Sequence, residues 1–293
     1  MRIDDFRGIL SHRANRGRWL RTLGRAVSWQ IRTRLSRPYL DLTMFDGIKM
    51  RCHFDSSIAR EMIYNNGLPD YDEMRFFQHY LRPGDAFLDV GANEGIYTLL
   101  AASRLGKSGS IDSFEPNPGP LARLRENIAL NGLDAVRVHP VAVGAEPGTV
   151  RFMLDDQRSH IDAASEHGES AEVSMVRLDD ELSGRRYAAG KMDIEGAEPL
   201  AMRGAERMLS EANPPVWLLE VQGHVARYGL SEEEFFDWLA AHGYDLATYD
   251  SEARRLCYLD RAPAKGAADR GRPANVLAIA RASRPDVEAR VRA

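Results

Sequence analysis

Long apolar runs are missing from this 293-residue chain: none approaches the roughly 18 residues that a membrane span requires. No apolar stretch follows the start either, so neither a spanning helix nor a secretory signal is expected. Cysteine is scarce, with only Cys52 and Cys257, each in a separate strand-like segment. Two thiols so placed exclude a disulfide framework and a zinc spacing, and a reducing cytoplasm is the expected location. Residues 1–37 contain no lysine at all, yet ten arginines give them +8, so with −4 overall the remainder carries −12. That imbalance does not point to nucleic acid, because no basic sheet with interleaved aromatics and no reading motif accompanies it.

What is present is ordinary globular material, 44% apolar and 28% charged, enough for one main domain with appendages. In the basic arm, "RWLRTLGRAVSWQIRTRL" sets Trp19, Leu20, Leu23, Val27 and Ile31 on one helical face, with Arg18, Arg21, Arg25 and Arg32 mostly off it. Two readings stay open: an interfacial helix touching a protein partner or the inner face of an anionic membrane, and an amphipathic helix packed on its own domain. Residues 38–80 read as a cap. They comprise strands at 39–45 and 48–54 around the turn pair Asp46-Gly47, then helical segments interrupted by the lid-like loop "YNNGLPDYDE".

From residue 81 the chain alternates. Strand-like runs at 86–90, 110–115, 136–141, 190–194, 216–221, 244–249 and 275–281 enclose helical runs at 95–105, 118–131, 197–211 and 231–242. This pattern predicts a doubly wound α/β domain over 81–283, because parallel strands need long crossovers that cover both faces. The segments "GTVRFML" and "EVSMVRL" predict an inserted hairpin beside the sheet, and 260–274 a connection rich in Pro, Gly and Ala.

The stretch "FLDVGANEGIYTLL" is a strand-to-helix turn, and ligands of such sheets bind beyond the strand ends. Asp89, Gly91, Asn93 and Gly95 should line that crevice, Gly91 leaving room for a ligand atom and Gly95 letting the helix start close to the sheet. A dinucleotide fingerprint needs glycine where Asn93 stands, which disfavours NAD. Glu115, at the tip of the second strand, can accept hydrogen bonds from vicinal ribose hydroxyls. A glycine turn without a phosphate cradle and with a ribose-reading acid describes an S-adenosylmethionine pocket. Asp89 would sit near the donor's amino group, the adenine near Pro116, Asn117 and Ala142, and S-adenosylhomocysteine would be the product.

"DVGANEG", "FEPNP", "VSMVRLDDEL", "KMDIEGAE" and "LLEVQGH" occur in this order, and over roughly residues 55–250 the chain resembles the FkbM-type methyltransferases, a branch of the class I S-adenosylmethionine-dependent enzymes. The resemblance implies a Rossmann-like seven-stranded sheet with its last strand antiparallel. It also implies O-methylation of a sugar, glycolipid, polysaccharide or glycosylated natural product.

Such a hydroxyl must lose a proton, so Asp193, Glu195 and Glu220 are the catalytic candidates, with Asp193 and Glu195 facing one side if the strand continues through Ile194. They could act as base, orient the acceptor, or hold a divalent metal, the last not favoured; Glu195 and Glu198 could instead merely cap a helix. Substrate-side candidates are Tyr64, Tyr71, Ser159, His160 and His224, whereas Tyr97 reads as core. N- or C-methylation and a non-catalytic nucleoside-binding scaffold of a glycan-assembly complex are the alternatives.

Overall fold

In the computed structural model, which describes residues 9, 11–33, 38–154, 160, 161, 168–220, 224–259 and 275–293, the alternation becomes an eight-stranded mixed sheet. After a 3-10 turn at Arg13–Asn15 come helix α1 (Trp19–Arg32) and a hairpin of β1 (Tyr39–Thr43) and β2 (Lys49–His53), in which Asp46 and Gly47 both take positive φ. Helix α2 (Ser57–Tyr64) starts where the Ser56 hydroxyl accepts from the Ala59 amide at 2.9 Å, and α3 (Tyr71–Tyr80) follows the loop. Then come β3 (Ala86–Val90), α4 (Ile96–Leu105), β4 (Ser110–Phe114), α5 (Pro118–Asn131) and β5 (Val136–His139).

The inserted segment is larger than a hairpin. It contains β6 (Ala142–Val143), β7 (Gly148–Met153), β8 (His160–Ile161) and β9 (Ser170–Val176), which form a separate four-stranded sheet with β7 antiparallel to β9. The expected strand 136–141 therefore ends at His139, and the chain passes to the second sheet. The main sheet resumes with β10 (Ala189–Met192), α6 (Glu198–Arg203), β11 (Val216–Glu220), α7 (Glu232–Ala241), β12 (Tyr244–Asp250), β13 (Arg255–Tyr258) and β14 (Asn275–Ala280), and α8 (Arg284–Arg292) ends the chain. The helical run expected over 197–211 is broken, its second part being Glu206–Ser210. The 260–274 connection lies outside the described residues.

Strand order is β5-β4-β3-β10-β11-β14-β12-β13. The seven expected strands are present, β14 running antiparallel to both neighbours, and an eighth, β13, is added on the outer edge of β12. Order reverses between β3 and β10, which opens the crevice beyond Val90 and Met192. Apolar clusters cover both faces. On one, Phe76, Phe77 and Phe87 belong to a cluster that extends to Ile9 and Trp29 of the arm; on the other, Leu88, Val90 and Trp217 pack with Phe235. Each such side chain contributes about 1.5–3 kcal/mol by leaving water, an upper estimate for real unfolded chains.

The arm does pack on the domain, but not through the face its periodicity suggests. Thr22, Ala26 and Trp29 are buried, while Trp19, Leu20, Val27 and Ile31 remain exposed. Small Ala26 admits close approach to α2, and Trp29 meets Phe54 with ring centroids 4.6 Å apart.

Candidate functional site

The crevice holds a cavity of about 330 Å³ whose lining includes Gly91, Asn93, Glu115, Lys191, Asp193 and Glu220. Its floor is the turn after β3, where Gly91, Asn93 and Gly95 have φ of 77°, 51° and 94°. Gly91 lines the cavity, and the protein's own packing already requires glycine there: a Cβ would stand 2.0 Å from the Asp193 carbonyl oxygen. Gly95 does not line the cavity as expected; a Cβ there would meet Leu124 Cδ1 at 2.7 Å, so that glycine admits α5. The turn is tied to β4 by the amides of Gly91 and Ala92, both donating to the Phe114 carbonyl.

Glu115 follows directly on β4. Its Oε2 accepts from the Asn93 amide and its Oε1 from the Asn117 amide, each at 2.8 Å, so one carboxylate links both turns of the cavity floor. Burial raises its pKa to about 7 despite these bonds. Each oxygen retains a lone pair, so the carboxylate can still accept from a pair of hydroxyls. Pro116 and Asn117 line the cavity beside it, Asn117 also capping α5 through the Gly119 amide, and Ala142 closes that end from β6.

Across the cavity, ligand atoms of Asp193, Glu195 and Glu220 lie within 4.8 Å of one another. Strand alternation does not bring them together, because β10 stops at Met192. The chain instead turns through Glu195, at φ 57°, and Gly196. Glu198 holds that turn, its buried carboxylate accepting from the Ile194 amide at 2.8 Å and the Gly196 amide at 3.3 Å. Glu198 thus acts through the loop, with its pKa pushed by burial to about 7. Burial and the neighbouring acids Asp193, Glu195 and Glu198 push Glu220 well above the carboxylate range.

Lys191 is the counter-charge that sequence reading passed over. Its Nζ donates to the Gly91 carbonyl at 2.7 Å, stands 3.3 Å from Asp193 Oδ2 and 3.9 Å from Asp89 Oδ1, and lies over the Tyr97 ring. Burial opposes its charge, but Asp193 and Asp89 outweigh that and raise its pKa. "KMDIEGAE" contains the signal, a lysine two residues before an aspartate at a strand end, yet it is strand pairing that sets Lys191 opposite Asp89. Asp70 is the other residue missed. It lines the cavity from the lid-like loop and accepts from the Tyr97 hydroxyl at 2.8 Å, so Tyr97 is both core and wall.

Other candidates lie elsewhere. Asp89 is fully buried behind Lys191, accepting from Thr98 at 2.6 Å, and does not line the cavity. Tyr64 faces the arm, its hydroxyl accepting from Gln30 at 2.7 Å, and Tyr71 lies under the Arg13 guanidinium. Neither is a wall of the cavity, because the arm covers the surface they were expected to offer. His160 is buried in β8 while its neighbour Ile161 lines the cavity. Ser159 lies outside the described residues, as does the side chain of His224 at the start of a 3-10 turn. The arm also grips the loop: His12 Nε2 meets the Pro69 carbonyl at 2.9 Å, Asn15 donates to the Tyr64 carbonyl at 2.8 Å, and Arg25 donates to Asn66 Oδ1 at 2.9 Å.

Strand order, the antiparallel β14 and a cavity at the β3/β10 reversal define the class I methyltransferase fold. The chain belongs to the FkbM methyltransferase family, whose Methyltransferase FkbM domain matches residues 89–246, more than half of its length. It is 33% identical to 31-O-demethyl-FK506 methyltransferase FkbM of Streptomyces tacrolimicus, over 43% of this chain and 61% of that protein, and so spans less than two thirds of that relative. Among solved structures it is similar to methyltransferase FkbM of Methylobacillus flagellatus KT (TM-score 0.43, 14% identity, 89% of this chain and 60% of the other). It is also similar to a putative methyltransferase of Streptococcus mutans in complex with SAH (TM-score 0.41, 9% identity, 70% and 93%).

Proposed function

We propose that the protein is an S-adenosylmethionine-dependent O-methyltransferase acting on a hydroxyl of a sugar, glycolipid, polysaccharide or glycosylated natural product. The observation that carries this reading is one cavity with Glu115 at one end and Asp193, Glu195 and Glu220 at the other. The first is suited to vicinal hydroxyls of a nucleoside, the second to a hydroxyl that must be deprotonated. Asn93 at the middle glycine position supports a donor without a pyrophosphate.

When bound, the donor supplies an electrophilic methyl group on a sulfonium. The chain's own residues do the rest. Glu115, Asn117 and Ala142 hold the nucleoside, and Lys191 orients Asp193 through their ion pair. Asp193 or Glu195 takes the proton of the acceptor hydroxyl. Glu220, holding its own proton among neighbouring carboxylates, is available as a donor that orients the acceptor.

Incubation with donor labelled in its methyl group, and extracts of the source cells, tests the reading: label should appear in a carbohydrate-containing product as a methyl ether. Label on nitrogen or carbon would replace the acceptor class. S-adenosylhomocysteine at about 100 times its Kd should add about 2.7 kcal/mol of stability; an unmoved Tm at saturation would favour the non-catalytic scaffold.

A further inference from the structure

All five large hydrophobic side chains that stand exposed among the described residues lie between positions 19 and 39: Trp19 (43%), Leu20 (66%), Val27 (45%), Ile31 (55%) and Tyr39 (38%). Four belong to α1. At about 100° per residue they and Leu23 occupy a sector of about 120°, adjoining the face that docks on the domain. Packing has thus spent α1's small and polar face, Thr22 and Ala26, and left its apolar face uncovered.

On the other side of the same helix is a cleft of about 360 Å³, lined by Arg21, Arg25 and Arg32 and by apolar Leu40, Leu42 and Ile63. Among the described residues no carboxylate pairs with these three arginines. Arg13 and Arg16, earlier in the arm, do find Asp72 and Glu252. Arg25 has only the neutral Asn66 amide oxygen, with burial and the Arg21 charge both weighing against its own. Uncovered apolar side chains beside guanidinium groups that no described carboxylate neutralises, over an apolar cleft, are complementary to a surface that is oily and anionic together.

We propose that α1 and the adjoining edge of the hairpin dock on a bilayer containing anionic phospholipids. Trp19, Leu20, Val27 and Ile31 enter the headgroup boundary, and the arginine cleft receives a lipid phosphate. The helix lies in the plane of the surface: its 14 residues span about 21 Å, short of the roughly 30 Å hydrocarbon core. No described helix is long and apolar enough to cross a membrane. Charge sets the orientation, since the +8 arm is drawn to the anionic surface and the −12 body is repelled from it. Docking in this way sets α2, whose Ser57, Ile58 and Glu61 line the cavity, one helix away from the lipid.

The test uses the full chain and vesicles of phosphatidylcholine with or without phosphatidylglycerol, and does not depend on any methyl transfer. Expected are sedimentation with the phosphatidylglycerol vesicles only, and quenching of Trp19 emission by brominated acyl chains that Trp19→Phe abolishes. Leu20→Glu with Ile31→Glu, and separately Arg21→Glu with Arg32→Glu, should each weaken binding about tenfold or more while Tm stays within about 2 °C, because these side chains are solvent-exposed. If a double variant fails to fold, quenching in the unmodified protein decides. Four results would overturn the proposal: no vesicle binding at about 0.1 M salt, binding indifferent to Leu20→Glu with Ile31→Glu, binding of glycerol phosphate by a protein that ignores vesicles, or variants that only convert a dimer to a monomer.

Discussion

Glu115→Gln separates the two tasks assigned to one carboxylate. Glutamine keeps the shape but offers one acceptor oxygen, so either the Asn93 or the Asn117 amide, now each bonded at 2.8 Å, faces an NH2 group. An unpaired buried N–H costs about 1–3 kcal/mol. The opposing term is burial of charge: raising the Glu115 pKa from 4.5 to about 7 makes its ionised form cost about 3 kcal/mol above pH 7. A raised carboxyl pKa means that the native state binds more protons than the unfolded one. The contribution of Glu115 to stability is therefore complete below about 4.5 and is lost as pH rises through about 7. The variant should be less stable than the parent by about 1–3 kcal/mol at pH 5, and equal or more stable at pH 8. Glu73 and Glu198 have pKa values raised in the same direction and remain in both proteins, so the difference between them reports Glu115. Affinity for S-adenosylhomocysteine should fall about tenfold to a hundredfold, the loss of one charge-assisted hydrogen bond of about 1.5–3 kcal/mol. Urea unfolding at the two pH values and titration calorimetry measure these quantities. A folded variant that binds within twofold of the parent would refute the placement of the nucleoside, and an equal stability difference at pH 5 and 8 would refute the buried-charge account.

Asp193→Asn combined with Glu195→Gln should lower turnover by about 10²–10⁴ and leave S-adenosylhomocysteine affinity within about threefold; a loss under tenfold would indicate an acceptor that needs no base. Lys191→Met should destabilise by about 3 kcal/mol or more, since the wholly buried Asp89 loses its nearest cation; urea unfolding showing less than about 1 kcal/mol would contradict this balance of charges. Gly91→Ala should lower Tm sharply or abolish soluble expression, because the new methyl would stand 2.0 Å from a backbone oxygen; a parental Tm would mean that the Asp193 turn can shift. Activity should be the same in EDTA as in magnesium, and loss on chelation with recovery on adding the metal back would turn the Asp193, Glu195 and Glu220 cluster into a metal site.

The main sheet was legible because its strands are short apolar runs separated by helical ones, and the hairpin because Asp46-Gly47 stands between its two strands. Glu115 was legible for the same reason, since the end of a strand puts the next side chain at the crevice. Side-chain direction was not. Asp89 lies in the strand that builds the site yet faces Thr98 and Lys191, a choice made by β10 pairing alongside it. Asp193 and Glu195 were expected to converge by alternation and do so by a left-handed turn instead, which periodicity does not encode. Tyr64 and Tyr71 were misplaced because the arm occupies their side of the cap. Amphipathic spacing located the apolar face of α1 and could not reveal that the helix packs by Ala26 and Trp29.

The cavity also extends beyond the span that matches the FkbM domain. Ser57, Ile58, Glu61, Pro69 and Asp70 line it from the N-terminal side of residue 89, where the shared domain begins, and Asn275 lines it from beyond residue 246, where that domain ends. The first five sit on a helix and a loop held in place by His12, Asn15 and Arg25. Comparing this chain with its relatives over residues 89–246 alone would therefore leave out six residues of its own cavity wall. A version trimmed to that region would lose a wall together with the brace behind it.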